Sequence, residues 1–325
     1  MKKVIEKVLP FFRERTLAPP KTYFIELTNF CNLRCSMCNF HSPELSSQGR
    51  RAKGFMDVKL AKYLIDQIVE FGSAWLAFHG AGESLLHKGL TEILRYASRC
   101  NGITFGFLTN GMLLDERRSS EILDSGMSWI GFSLDGIDKG KFEKYRVGSN
   151  YDIILKNVMR FLDMNDKKAG RVVTTVNMTL QEEMKDDVDA FIDFWVDKVN
   201  QVSISPYRPV GSRINALVNT SVQRIPCYML YEMMLIYWNG DVGLCCEDWF
   251  NAGNMGKTGE KAILDVWRGR QFCKVRTFHE KGRFDKTPLC KDCNSWHNAI
   301  VEEYTDERRG CRVRKTAWQY LYTNR

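Results

Sequence analysis

Six strand-like segments, at 23–28, 74–79, 103–109, 128–134, 172–179 and 201–206, alternate with helical patterns at 58–71, 90–99, 115–125, 153–163 and 186–199. Strands joined by crossovers of this length run parallel, and the connections are right-handed. Six such units predict an α/β fold, an open, partial (β/α)6 TIM-like barrel. Active sites of such barrels lie at the carboxyl ends of the strands, and the polar motifs of this sequence fall at those ends.

A chain of 325 residues that is 44% hydrophobic can bury a large core, and suggests one big domain with a smaller one beside it. Residues 1–18 read as an amphipathic helix that stops at Pro19-Pro20 and packs on the outside of the main domain. Charges interrupt this stretch, so it is not a signal peptide, and no later run is long enough to span a bilayer. The 47 basic and 39 acidic residues leave a net charge of +8. Part of that mild excess sits between Arg308 and Arg325, where no acidic residue follows Glu307. Such an end is a solvated tail, or a contact for nucleic acid or an acidic partner. The interleaved aromatic and basic groove of an RNA-binding module is not visible. Eleven cysteines, an odd number, without an export signal point to a reducing cytoplasm and to metal binding rather than disulfides.

Three of the cysteines stand in Cys31-Asn-Leu-Arg-Cys35-Ser-Met-Cys38, directly after the first strand-like segment. Soft thiolates at this density select zinc or an iron–sulfur cluster. A closed structural site takes four protein ligands, so three in one loop leave a metal position for something that is not protein. This C-x3-C-x2-C spacing resembles that of the radical S-adenosylmethionine (radical SAM) superfamily. The resemblance implies a [4Fe–4S] cluster on Cys31, Cys35 and Cys38, whose fourth iron binds the amino and carboxylate groups of S-adenosylmethionine (SAM). It implies further that one electron from the cluster cleaves SAM to a 5′-deoxyadenosyl radical, which abstracts hydrogen from unactivated carbon. No side chain does that chemistry; the cofactor carries it and the protein positions it.

Further motifs extend the resemblance. His79-Gly-Ala-Gly-Glu83 follows the second strand, and its small residues let the backbone approach a ligand. Relatives carry Gly-Gly-Glu-Pro here and hold the SAM amino group with it. Ala81 and Ser84 depart from that pattern, so Gly82 and Glu83 carry over. Asn110 and Ser133, at the ends of the third and fourth strands, match ribose- and carboxylate-contacting positions. Arg146 stands where many relatives grip the SAM carboxylate with a guanidinium fork; the plainer reading is a surface arginine. Met37 matches a position beside the adenine, where a thioether can cover a ring, or else packs in the core. His79, His87, His279 and His297 show no ligand spacing.

From about residue 215 the pattern changes. Residues 234–244 read as a hairpin turning at Asn239-Gly240, and a helix at 262–268 and then Cys290-Lys-Asp-Cys293 follow. With Cys227 and Cys245 these gather four thiolates, which suit zinc or a complete cluster; spacing does not separate the two. The series C-x12-G-x4-C, then C-x2-C, is similar to the auxiliary-cluster (SPASM) module of radical SAM enzymes. Cys311 is too distant to extend the ligand set, so the likeness is to the shorter "twitch" form. It implies a second [4Fe–4S] cluster on Cys227, Cys245, Cys290 and Cys293. The implied organisation is an N-terminal helix (1–20), a radical SAM core (21–215), a twitch/SPASM auxiliary-cluster domain (216–311) and a basic tail (312–325). Cys100, Cys273 and Cys311 are structural or free thiols.

Cys246 follows a cluster ligand, and neighbours in extended chain point to opposite sides. Similarity to radical SAM epimerases makes it a candidate hydrogen-atom donor, with tolerated packing as the alternative. Asp248 is a candidate proton acceptor in the oxidation of an alcohol or amine radical, or else holds the hairpin. Twitch-bearing relatives include dehydrogenases acting on aminocyclitols. The expected reaction is therefore dehydrogenation of a small polar molecule such as an aminocyclitol or sugar. Epimerisation of a sugar or peptide residue is the alternative, with RNA or peptide modification below it. The resemblance also implies a flavodoxin- or ferredoxin-type reductant. The short run before the first strand leaves no room for the extra peptide-binding domain of many relatives, which favours a small substrate. A bare electron carrier would explain the cysteines but not Gly82, Glu83 and Asn110.

Overall fold

The computed structural model describes residues 18–45, 51–207, 224–293, 295–299, 301–316 and 319–324. All but the last residue of the expected N-terminal helix, and the boundary at 215–216, lie outside them. Strands β1 (Thr22–Ile25), β2 (Ala74–Phe78), β3 (Ile103–Thr109), β4 (Trp129–Ser133), β5 (Val173–Leu180) and β6 (Gln201–Pro206) lie side by side in chain order, all parallel. The crossovers are helices α1 (Val58–Glu70), α2 (Leu90–Ala97), α3 (Glu116–Leu123), the pair α4 (Lys139–Tyr145) and α5 (Tyr151–Lys167), and α6 (Val188–Trp195). The sequence reading missed α4, whose run of lysines hides a single buried contact, Phe142.

Side-chain caps fix where these helices begin. Asp57, Asp115, Asp138 and Asn150 accept hydrogen bonds from the first-turn N–H groups of Lys59, Arg118, Lys141 and Ile153. Helix α1 then buries Ala61, Leu64, Ile65 and Ile68, a stripe at helical spacing, against the sheet. Along β1 the period is two: Tyr23, Ile25 and Leu27 belong to the core under the helices, whereas Phe24 and Glu26 face the inside of the barrel. The Trp75 and Trp129 rings stack at 4.8 Å, with Phe24 edge-on to Trp75 at 6.0 Å, and floor that interior. Gly106 permits the floor, because a Cβ there would stand 1.9 Å from the Trp129 carbonyl oxygen.

Both ends of the six-stranded sheet are extended. On one side β7 (Met233–Ile236) pairs parallel with β1, and β8 (Asp241–Gly243) and β9 (Gly256–Lys257) follow antiparallel. The β7–β8 turn falls at Asn239-Gly240 as expected, with Gly240 at φ +85°, a conformation glycine adopts freely. On the other side β12 (Tyr320–Thr323) pairs antiparallel with β6, and β11 (Cys311–Lys315) and β10 (Glu302–Asp306) continue outward. The segment read as a solvated basic tail is therefore sheet from its first residues. Cys311 and Val313 are buried while Arg312 and Arg314 are exposed, and its charges meet acids of the same chain. Lys315 pairs with Glu302 at 2.9 Å, and Arg309 pairs with Asp189, Asp193 and Asp306. Among the described residues no helix is long and apolar enough to cross a membrane.

Candidate active site

A cavity of about 450 Å³ opens at the carboxyl ends of the parallel strands. Cys31, Cys35, Cys38, Met37, Gly82, Glu83, Asn110, Ser133, Arg146, Cys246 and Asp248 all line it. Cys227, Cys245, Cys290 and Cys293 do not.

The first cysteine loop is tied down on two sides. Thr28 Oγ1 donates to Gly54 O and Asn29 Nδ2 to Ala52 O, each at 2.8 Å. Arg34 N–H and Ser36 N–H donate to the Val147 and Tyr145 carbonyls, each at 2.9 Å. Gly82 packs directly on this loop: a Cβ there would stand 2.3 Å from Thr28 O, so only glycine fits. Burial pushes the Cys31 thiol up to about 12 and Cys35 to about 11, with the neighbouring thiols adding to the rise. Three thiols that resist ionisation together become thiolates when a cation joins them. Backbone N–H groups already point at the sulfurs, Leu33 N–H to Cys31 Sγ at 3.4 Å and His41 N–H to Cys38 Sγ at 3.3 Å.

Glu83 braces this end of the barrel. Its Oε1 accepts from Thr109 Oγ1 (2.8 Å) and Leu85 N–H (3.1 Å), and its Oε2 from Asn110 N–H (2.8 Å). A carboxylate has about four acceptor sites, so one remains for a ligand's ammonium. Asn110 Nδ2 donates to Asn32 Oδ1 at 2.9 Å and its Oδ1 accepts from Met112 N–H at 3.0 Å. These bonds stitch the end of β3 to the cysteine loop. Arg146 is buried rather than on the surface; its Nε donates to Asp135 at 2.6 Å, and its charge favours the Cys35 thiolate. The Asp135 partner in turn accepts from Thr179 N–H at 2.8 Å, at the end of β5. Ser133 and Met37 complete the wall.

Asp248 lines the cavity and also holds the hairpin. Its Oδ2 accepts from Leu244 N–H and Gly253 N–H at 3.1 Å each, and its Oδ1 from Ala252 N–H at 2.8 Å. These bonds shape the turn behind Cys245. Cys246 opens on the cavity and lies 3.8 Å from Met229 Sδ, whereas Cys245 lies behind it. A small apolar cluster built on Met229 and Met233 touches Phe24 and Cys246, which line the cavity, and Cys227 and Cys245, which do not.

Sequence reading gave no role to three cavity residues, Glu26, Arg51 and His79. Glu26, 1% exposed, holds Arg51 through two bonds of 2.8 Å and accepts from Ala81 N–H at 3.0 Å. Arg51 also donates from Nε to Trp249 O at 3.0 Å and lies 4.0 Å from the centre of the Tyr237 ring. It thus clamps the turn after Cys246 to β1. His79 follows β2 and faces the cavity beside Phe24; burial lowers it to about 4 and keeps it neutral. Strand alternation announces Glu26 and His79 as inward-facing; nothing in sequence pairs Arg51 with Trp249.

The second cysteine set is gathered behind the apolar cluster. Cys227 and Cys290 are pushed up to about 12 by burial, and the charges of Cys290 and Cys293 add to the rise at Cys227. Cys245 is raised well above the usual thiol range by burial, then by Cys246, Cys290 and Cys227. Ser295 N–H donates to Cys293 Sγ at 3.4 Å, and Cys227 N–H to His279 Nδ1 at 3.3 Å. Cys100, Cys273 and Cys311 lie apart from both sets.

The radical SAM superfamily model matches residues 25–194, more than half of the chain. The chain belongs to the radical SAM superfamily. A second model, described as an iron–sulfur cluster-binding domain (SPASM), matches residues 227–294, from the first to just past the last cysteine of the second set. The chain is similar to a GTP 3′,8-cyclase of Peptoclostridium acidaminophilum, 28% identical over 59% of this chain but 58% of the cyclase. It therefore spans little more than half of that relative. It is 25% identical to an S-adenosyl-L-methionine-dependent 2-deoxy-scyllo-inosamine dehydrogenase of Niallia circulans, over 86% of this chain and 95% of the dehydrogenase. Its fold is that of BtrN in complex with AdoMet and 2-DOIA, with a TM-score of 0.58 and 22% identity over 85% of this chain and 93% of that one.

A radical SAM enzyme carries SAM and a [4Fe–4S] cluster, and the SPASM domain carries auxiliary iron–sulfur chemistry; the residues here fit both. Among the described residues no three His, Cys, Asp or Glu side chains converge to single-ion distances. Sulfurs that accept backbone N–H bonds suit cluster ligation as well.

Proposed function

We propose that this radical SAM enzyme dehydrogenates a small polar molecule, an aminocyclitol or sugar, at a hydroxyl- or amine-bearing carbon. The observation that carries the reading is the Met229–Met233 cluster, which packs both on the cavity residues Phe24 and Cys246 and on Cys227 and Cys245 of the second cysteine set. When bound, SAM and the first cluster supply a hydrogen-abstracting 5′-deoxyadenosyl radical, and the second cluster supplies an electron acceptor. Cys31, Cys35 and Cys38 would hold the first cluster, and Gly82, Glu83, Asn110, Ser133, Arg146 and Met37 would orient SAM over it. Glu26 and Arg51 shape the opposite wall, beside His79, which burial keeps neutral. Cys227, Cys245, Cys290 and Cys293 would hold the acceptor close behind. The likeness to the Niallia dehydrogenase along nearly its whole length supports this choice.

A second reading keeps the same site. Cys246 opens on the cavity, so its thiol can return a hydrogen atom to a substrate radical and so produce an epimer. One experiment separates the two. Reconstituted protein with a flavodoxin-type reductant and SAM is incubated anaerobically in D₂O with pools of sugars, aminocyclitols and short peptides, and masses are compared. Loss of two hydrogens supports dehydrogenation. Gain of one deuterium, abolished by Cys246→Ala, replaces it with epimerisation.

A further inference from the structure

Arg224, just before Cys227, sits against the second cysteine set with no part yet in the proposed oxidation. Its Nη1 donates to Lys291 O at 3.0 Å and its Nη2 to Cys290 O at 2.5 Å, so it closes over the Cys290–Cys293 turn. The guanidinium lies 4.1 Å from the centre of the Phe284 ring. Its Nε is buried without a hydrogen-bond partner. Burial disfavours the charge, and Cys293, Cys290 and Cys227 then favour it, in that order, with Asp292 also contributing. The neighbouring imidazoles of His279 and His297 are kept neutral by burial and by the same guanidinium. A guanidinium does not give up its proton in a protein. A half-buried cation is disfavoured unless an anion faces it, and thiolates on an iron–sulfur cluster are such an anion.

We propose that Arg224 raises the reduction potential of the auxiliary cluster and so fits that cluster to accept an electron. Positive charge beside a cluster stabilises its reduced, more negative state. The inference builds on the proposed dehydrogenation, where the cluster is the acceptor. The competing role is a strut that only fastens the Cys290–Cys293 turn.

The test uses full-length protein with Cys31, Cys35 and Cys38 all changed to Ala, so that only the auxiliary cluster is held. Iron content and the midpoint potential, followed by the paramagnetic signal of the reduced cluster, are compared for Arg224, Arg224→Gln and Arg224→Lys. Arg224→Gln is expected to keep its iron and to become about tenfold harder to reduce, which is about 59 mV for one electron. Arg224→Lys, which keeps the charge and loses the fork, is expected to restore most of that shift. Full iron with an unchanged potential in Arg224→Gln overturns the proposal. If Arg224→Gln loses its iron, Arg224→Lys decides: a potential near that of the parent supports the proposal, and a tenfold drop or loss of iron makes Arg224 a strut. The potential is read without substrate, so a failed dehydrogenation does not alter it, and an unshifted potential leaves the dehydrogenation standing.

Discussion

The two cysteine sets use the same donor atom and face opposite ways. The first has three thiols in a loop that lines an open cavity. The second has four, drawn from Cys227, Cys245 and the Cys290–Cys293 turn; none of them lines that cavity, and Met229 and Met233 pack on Cys227 and Cys245. Number and placement agree. A set with three ligands beside open space can bind a small molecule at its remaining metal position; a set with four fills every metal position and can exchange electrons but not ligands. The difference lies in the supporting chain rather than in the cysteines. Glycine at 82 brings a second loop within van der Waals reach of the first set, whereas the second is closed by Arg224 and by the turn that Asp248 organises.

The largest contrast is between ligand losses. Cys35→Ala is expected to reduce deoxyadenosine formation to the assay background. Cys293→Ala is expected to leave that formation measurable while product oxidation is lost; deoxyadenosine and product quantified by mass spectrometry check both. If Cys35→Ala retains deoxyadenosine, the assignment of the two sets fails. Next in size is the clamp between the two regions. Arg51→Met leaves Glu26 buried without its partner, which is expected to cost about 3–5 kcal/mol in denaturant unfolding. A loss below about 1 kcal/mol would show that the two regions are held together elsewhere. Gly82→Ala touches the first set alone. The forced shift of the loop is expected to cost about 1–3 kcal/mol, read as a SAM affinity about ten- to a hundredfold weaker by titration, with the second set's iron content unchanged.

The smallest effect is in pH. His79 is lowered from the usual 6.5 to about 4 by burial. Between those values the unfolded chain holds a proton that the folded chain does not, so stability is full above about pH 6.5 and falls as pH drops toward 4. His79→Gln is expected to flatten that part of the melting temperature's pH profile. An unchanged profile would mean that His79 is already open to bulk water.

Much of this contrast is legible in sequence. The three-cysteine spacing, the four-cysteine series and the strand alternation give the six parallel strands, both thiol sets and the cavity-facing positions. What stays hidden depends on partners distant along the chain. Glu83 and Asp248 look like free carboxylates until the N–H groups of Asn110, Leu244, Ala252 and Gly253 are found on them. Arg51 looks like a loop charge until Trp249 O and Glu26 meet it. Strands β11 and β12 read as a solvated end because basic residues run from Arg308 to Arg325 with no acid after Glu307, and only the opposing acids on β10 and on α6 show that these charges are paired within the fold.

Strand β7 also has a consequence for how the protein is made. It pairs in parallel with β1, Thr22 beside Met233, across most of the chain. A nascent chain that has already emitted β1 to β6 still carries β1 as a bare edge, with its unpaired N–H and C=O groups open to any passing strand. Pairing of such separation is slow to find. The SPASM end thus doubles as a built-in edge cover for the core, and a chain truncated before residue 224 is expected to aggregate during synthesis rather than persist as a smaller, single-cluster enzyme.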